Sequence, residues 1–109
     1  MNTATETPAF LIARTIRDND LNSAATAIVA MLKSATPAFI AEVGELAPLL
    51  GYDSSLVLDV ALVEATVAAG EGAGRCSVGS RRRLAHLARF EALCAAHDCY
   101  LAVEKARAA

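Results

Sequence analysis

The sequence predicts an all-α fold, a compact bundle of five or six helices in which the fourth helix is central. Apolar residues recur at helical spacing in several segments, and capping residues with prolines mark the helix starts. No segment alternates apolar and polar residues as a half-buried strand does. The 109 residues suffice for a single helical domain, residues 1–109. The chain is 55% hydrophobic, which excludes intrinsic disorder.

Thr-Pro pairs begin two of the first three predicted helices. Thr7-Pro8 supplies an N-cap and a proline at the first helical position, and this helix ends near residues 18–20. A second helix is expected over residues 21–34. Thr36-Pro37 then starts a third helix, in which apolar residues recur at helical spacing until Gly51 ends it.

A glycine-rich stretch separates the last two predicted helices. Asp53 or Ser54 can cap the fourth helix, which is expected to end near Ala69. Residues 70–79 are predicted to form a Gly-rich loop because four of these ten residues are glycine.

Ser80 is expected to cap the last helix, which continues to Arg107 or breaks near His97-Asp98. Residues 1–6 are expected to be a flexible N-terminus.

Two of the predicted helices are apolar on almost every side. In residues 54–69 only Ser54, Ser55, Asp59, Glu64 and Thr66 are polar, and residues 21–34 are similarly rich in Ala, Ile, Val and Leu. Such helices must be buried nearly all round, and five short helices can hardly enclose two of them. We therefore expect a homodimer. The expected dimer or partner interface contains Ile28, Met31, Leu56, Leu58 and Leu62.

The formal net charge is −2, but the charged residues are distributed unevenly along the chain. Residues 34–74 contain six acids and no base, whereas residues 75–109 contain seven bases and three acids. These two regions either attract each other, within the chain or across a dimer, or form separately solvated surfaces.

A group of arginines surrounds the start of the last helix. Arg75, Arg81, Arg82 and Arg83 lie close to the Ser80 cap, where free N–H groups and the helix dipole already favour an anion. Arginine adds paired donors for phosphate or carboxylate. We consider these five residues an anion- or partner-binding site, with a solvated charge run as the alternative.

Residues 42–62 resemble the helix-turn-helix of bacterial transcription regulators. The stretch would place a first helix, a turn at Gly51 and a second helix with Val57 and Val60 as buried positions. The resemblance implies a DNA-associated regulator that uses this corner together with the arginines at 75–83. Base and phosphate contacts require basic or amide side chains, and the second helix offers Asp59 but no base.

No arrangement of residues indicates catalysis. Gly74–Gly79 has the glycine spacing of a phosphate-binding loop, but Arg81 follows Ser80 where that motif needs Lys and then Ser or Thr. Cys94, His97 and Asp98 share a helix face without forming a four-ligand zinc site. We therefore predict no enzymatic activity, no metal and no cofactor, with an enzyme completed across a dimer as a remote alternative.

The remaining sequence features indicate a cytoplasmic protein without a membrane segment. The three cysteines form no regular framework and are expected to be reduced thiols, and the N-terminus has no basic residue typical of a signal peptide. The function predicted from the sequence is a small non-enzymatic protein-interaction or regulatory module, such as an adaptor, a chaperone-like protein or an inhibitor. Its expected partners are a second copy and another protein, with nucleic acid as the alternative.

Overall fold

Five α-helices and one short 3₁₀ helix make up the chain in a computed structural model, which describes residues 7–108 apart from the side chain of Tyr52. No strand occurs among these residues, so the all-α prediction is confirmed. The expected flexible segment 1–6 lies outside the described residues. The helices are α1 Pro8–Asp18, α2 Leu21–Lys33, α3 Pro37–Gly44, a 3₁₀ helix Ala47–Leu49, α4 Tyr52–Gly74 and α5 Arg81–Ala108.

Short polar side chains begin four of the five α-helices. The side chains of Thr7, Asp20, Thr36 and Ser80 each accept a hydrogen bond of 2.8–3.2 Å from the backbone N–H three residues later. This contact satisfies one of the N–H groups that a helix start leaves without a partner. The N–H and hydroxyl of Ser23 both donate to Asp20, and these bonds hold the pKa of its carboxyl below the ordinary value.

The third helix is shorter than the sequence pattern predicts. It ends at Gly44, and a 3₁₀ helix over Ala47–Leu49 replaces the expected continuation to Gly51. Pro48 explains the difference, because its ring would clash with the carbonyl of Gly44 in an α-helix and its nitrogen has no hydrogen to donate. The chain therefore turns here and redirects into α4.

The fourth helix is longer than predicted at both ends. It begins at Tyr52 after Gly51, so neither Asp53 nor Ser54 caps it, and it continues to Gly74. The prediction of a loop over residues 70–79 is therefore wrong for its first half, and the connection between α4 and α5 spans only residues 75–80.

The glycines within α4 allow close contact with α5 rather than a break. A Cβ atom at Gly72 would lie 2.7 Å from the His86 ring, and one at Gly70 would lie 3.4 Å from the Phe90 ring. Glycine inside a helix costs about 1 kcal/mol relative to alanine, so its presence here reflects packing. Gly79, in the connection, has a positive φ of 79° that side chains rarely adopt.

The last helix is continuous through His97 and Asp98, so of the two alternatives the unbroken helix is confirmed. It packs along α4 and also contacts α3, while α4 packs against α2 on its other side. This arrangement makes α4 the central helix, as predicted. The largest fully buried side chains are Ile12, Ile28, Leu32, Ile40, Val43, Leu58, Leu62, Leu93 and Tyr100.

Two close contacts fix α3 against α5. The hydroxyl of Tyr100 donates to the carbonyl oxygen of Val43 at 3.1 Å. A Cβ atom at Gly44 would lie 3.1 Å from the Cα of Ala96, so only glycine permits this approach without a shift. The described part of the chain measures 43 × 41 × 22 Å, so its short dimension corresponds to about two helix diameters.

Candidate functional site

An apolar stripe runs along the outer side of α4. Its members are Leu56, Val60, Val63 and Val67, which are 45%, 46%, 44% and 54% exposed. We refer to these four residues as the α4 stripe. The opposite side of the helix is the core side, with Leu58, Ala61, Leu62 and Ala65 buried. The helix is therefore apolar on both sides, and the bundle covers only one of them.

The structure separates the five expected interface residues into two groups. Ile28, Leu58 and Leu62 are completely buried within the bundle and cannot contact a partner, so the prediction is corrected at these three positions. Leu56 belongs to the exposed α4 stripe, and Met31 is partly buried against the core. Composition alone could not separate them, because an all-apolar helix gives no polar face to mark the outside.

A shallow groove of about 240 Å³ lies beside the α4 stripe. The α4 side of the groove contributes Val63, Thr66 and Val67. The α5 side contributes Cys94, His97 and Asp98, the three residues that the sequence placed on one helix face. His97 also lies 2.6 Å from a carboxylate oxygen of Asp59 through its Nε2. The groove thus extends the apolar surface from α4 onto α5.

Metal ligation finds no support in the part of the chain that the structure describes. No group of three or more His, Cys, Asp or Glu side chains there could hold an ion. Cys76, Cys94 and Cys99 are all free thiols.

Two of the five residues predicted for anion binding have structural contacts. The Ser80 hydroxyl caps α5 by accepting from the N–H of Arg83 at 3.1 Å. The guanidinium of Arg83 donates to the carbonyl oxygens of Ala73 and Cys76, each at 3.3 Å. The Ala73 carbonyl lies in the last turn of α4, where a helix leaves acceptors without intrahelical donors, and the Cys76 carbonyl lies in the connection that follows. Arg83 therefore fixes the connection between the two long helices.

The other arginines separate around a cleft of about 390 Å³ between α2, α4 and the start of α5. Arg75 and Arg82 line it, whereas Arg81 does not. Three further basic side chains line the same cleft: Lys33, His86 and Arg89. We refer to it as the basic cleft. These three residues were not among those predicted from the sequence.

One signal for the basic cleft was present in the sequence. Arg82, His86 and Arg89 are spaced four and three residues apart, which places them on one face of a helix. Lys33 had no such signal, because only the packing of α2 against α4 brings it to the cleft.

Arg89 and His86 are held in place by specific contacts. The Nε of Arg89 donates to the carbonyl oxygen of Ala35 at 3.1 Å, and its Nη1 lies 3.4 Å from the Nδ1 of His86. A guanidinium can only donate, so this contact is a hydrogen bond when the His86 ring is neutral and carries its hydrogen on Nε2. Both side chains are partly buried.

The corner that resembles a helix-turn-helix consists of α3, the 3₁₀ helix and the first turns of α4. Its second helix exposes Asp53, Leu56 and Val60 and no base. The floor of the basic cleft begins at Ala65, about 20 Å along α4 from Tyr52, and Arg75 follows the last residue of the helix, about 34 Å from Tyr52. One base does contact the corner, because Arg107 donates to the carbonyl oxygen of Leu50 at 2.8 Å. The corner and the arginines therefore do not form one surface.

Within residues 7–108, no helix combines the length and the apolar character needed to cross a membrane. No protein-family model matches the chain, and comparison with curated proteins and with solved structures gives no significant match. The function must therefore be inferred from two surfaces of the protein, the α4 stripe and the basic cleft.

Proposed function

We propose that this chain is a non-enzymatic protein-interaction module that acts as a homodimer through the α4 stripe. The observation that carries the proposal is the stripe itself: four adjoining Leu and Val side chains about half exposed on the central helix. Contiguous apolar patches on soluble proteins mark interaction sites more often than single exposed residues do. Three free cysteines suit a reducing compartment, so we also propose a cytoplasmic location.

The spacing of the stripe favours a second copy of the same helix as the partner. Leu56, Val60, Val63 and Val67 follow one another at four, three and four residues, which is the a/d pattern of a coiled coil. Valine occupies both a positions and leucine one d position, and β-branched side chains at a suit two-stranded packing. A surface of this kind is self-complementary, as a two-fold symmetric interface requires.

The charges beside the stripe favour an antiparallel pair of α4 helices. A parallel pair would place Asp59 beside the partner's Glu64, and like charges at these flanking positions repel. An antiparallel pair instead packs Val60 against the partner's Val63. It also sets Asp59 opposite the partner's Thr66 instead of an acid.

The antiparallel arrangement also brings the acidic and basic regions of the two copies together. Each α4 then ends beside the first turn of the other, so the basic segment 75–83 lies nearer the partner's Asp53 than it would in a parallel pair. Glu45 and Asp53 are exposed, as is Arg81, and none of the three forms an ion pair within the described residues. Complementary charge at the rim orients association more than it strengthens it.

A stable dimer needs roughly 800 Å² of buried surface per copy, more than four side chains supply. The groove beside the stripe provides the additional area. On α5, Leu101 is exposed and follows Cys94 and Asp98 on the same helix face. The proposed interface therefore covers the outer sides of α4 and α5 together.

Sedimentation equilibrium over a concentration series tests the proposal. We expect the unmodified chain to dimerise with a Kd on the order of 10 µM or tighter. Val63→Glu places a charge in the stripe and should weaken the dimer by at least roughly tenfold, with helical circular dichroism unchanged.

The matched control is Val78→Glu, the same substitution at a residue that is 88% exposed in the connection before α5. It should leave the dimerisation constant unchanged. A monomer throughout the series would overturn the proposal, as would an equal loss in the two variants. Glu64→Lys tests the orientation, because it would strengthen a parallel pair through Asp59 and leave an antiparallel pair unaffected.

A further inference from the structure

We propose that the basic cleft binds a small organic molecule that carries a phosphate group. The cleft lies between α2, α4 and α5, and its volume of about 390 Å³ is within the range of small-molecule sites. Five basic side chains line it: Lys33, Arg75, Arg82, His86 and Arg89. No acidic residue among those the structure describes lines the cleft.

No ion pair within residues 7–108 neutralises the positive charges that line the cleft. The side chains of Arg75 and Arg82 form no hydrogen bond or ion pair within residues 7–108, so their donors are available. Lys33 also borders a neighbouring depression that Glu64 lines, but the two side chains form no ion pair within residues 7–108. Four permanent cations around one cleft repel each other, and an anion with two or more charges would relieve that repulsion.

Two of the lining residues are already oriented for an anion. Arg89 is fixed by its bond to the Ala35 carbonyl and by its contact with the Nδ1 of His86. That contact leaves the Nε2–H of His86 as a donor. A guanidinium that is held before binding loses less conformational freedom when the ligand arrives, which increases affinity.

The walls of the cleft favour a small ligand over a nucleic acid. Ala65, Ala68, Ala69 and Gly72 of α4 form an apolar floor of small residues, which can hold the uncharged part of an organic phosphate. No aromatic side chain of the described residues lines the cleft, so unpaired bases would find no stacking partner. The arginines supply paired donors for phosphate oxygens.

The cleft and the α4 stripe are independent surfaces. The floor residues occupy the side of α4 that faces α2 and α5, whereas the stripe occupies its outer side. Loss of dimerisation therefore need not affect ligand binding in the cleft. A result that overturns the homodimer proposal leaves the phosphate-binding proposal standing, and the reverse also holds.

Isothermal titration calorimetry with pyrophosphate and with glucose 6-phosphate at low ionic strength tests the cleft. We expect both probes to bind with a Kd of about 1 mM or tighter, and glucose 6-phosphate to bind more tightly than inorganic phosphate. Arg75→Ala and Arg82→Ala should each weaken binding roughly tenfold, since each removes one charged donor without a structural contact. Pyrophosphate should also raise the Tm of the unmodified chain more than that of Arg82→Ala.

Arg81→Ala is the matched control, because it removes the same charge from the adjacent residue that does not line the cleft. It should change the affinity less than about twofold. A loss equal to that of Arg82→Ala would overturn the proposal in favour of a diffuse basic surface. No binding of either probe, equal binding of citrate, or tighter binding of a short DNA duplex would each overturn it as well.

Discussion

The Nε2 of His97 lies 2.6 Å from a carboxylate oxygen of Asp59, and this contact joins the two long helices across 38 positions of sequence. The side chains are 25% and 20% exposed, so the pair is mostly shielded from water. His97 also lines the groove beside the α4 stripe, so the contact links α4 and α5 where the two helices form one outer surface. A hydrogen bond in a partly desolvated site is stronger than the same contact in water.

Asp59→Asn should lower the free energy of unfolding by about 1–2 kcal/mol, because it removes the charge from a hydrogen bond that is mostly shielded. Urea unfolding measures the loss. Asp98→Asn is the control, since Asp98 is an exposed acid next to His97 with no ion pair in the described residues. The pair has no stabilising role if the two variants unfold at the same urea concentration.

Substitution of two glycines near the end of α4 should have opposite effects. At Gly74 nothing lies within 4 Å of an added Cβ, so Gly74→Ala should stabilise the protein by about 0.4–1 kcal/mol. At Gly72 the Cβ would lie 2.7 Å from the His86 ring, so Gly72→Ala should destabilise it by about 1 kcal/mol or more. Thermal unfolding of the two variants measures the difference.

The His86→Ala background separates steric conflict from helix propensity at Gly72. Without the imidazole, the three atoms nearest to the added methyl group are gone, and Gly72→Ala should become neutral or stabilising. A double-mutant cycle between the two positions should therefore show coupling of about 1 kcal/mol or more. Additive effects would show that the His86 ring is not what requires glycine at this position.

Three of the helix starts were predictable from sequence because capping is local chemistry, whereas the start of α4 has no side-chain cap. Thr7, Thr36 and Ser80 act on N–H groups only three residues away, and all three cap as expected. The end of α4 was not predictable in the same way. Gly70 and Gly72 have the composition of a loop, and only their contacts with α5 explain why they are helical.

The candidate sites were only partly predictable for a related reason. Arg75 and Arg82 were predicted as site residues because they lie close to other arginines in the sequence. Lys33, in contrast, reaches the cleft only through the packing of α2 on α4. Pro48 by itself indicates the end of a helix, but the apolar residues at helical spacing around it favoured one continuous helix to Gly51. It ends α3 early, as the geometry of proline requires.

Burial gives Tyr100 a measurable effect on stability at alkaline pH. Its side chain is almost completely buried, and burial, with a smaller contribution from the Cys99 thiolate, raises the pKa of the phenol far above its ordinary value. The raised pKa means that the folded state keeps the proton longer than the unfolded state does. This contribution to stability is therefore complete below about pH 10 and is lost as the pH rises further.

Tyr52→Phe leaves Tyr100 as the only tyrosine, so ultraviolet absorbance can follow its ionisation directly. We expect no ionisation until the protein unfolds, and the two transitions should coincide. Ionisation near pH 10 in the folded protein would contradict the burial of Tyr100.

Tyr100→Phe should cost about 1 kcal/mol at neutral pH. It removes the 3.1 Å bond to the Val43 carbonyl, which still accepts from the N–H of Leu46. The change should also reduce the loss of stability above pH 10, because no buried phenol remains to ionise. Urea unfolding at neutral and alkaline pH measures both effects.

Leu62 and Val63 are neighbours in sequence, but Leu62 belongs to the core side of α4 and Val63 to the exposed α4 stripe. Substitutions at the two positions therefore compare a residue of the core with a residue of the proposed interface. Leu62 is completely buried, so Leu62→Ala should lower the free energy of unfolding by about 2–5 kcal/mol at every protein concentration. Val63 is 44% exposed in the α4 stripe, so Val63→Ala should change the stability of the monomer little.

The loss of two methyl groups at Val63 should instead weaken self-association. Because dimerisation stabilises the folded state by mass action, the Tm of Val63→Ala should fall below that of the unmodified chain only at high protein concentration. A Tm deficit for Val63→Ala that does not vary with concentration would show that Val63 contributes to the monomer fold and not to a dimer.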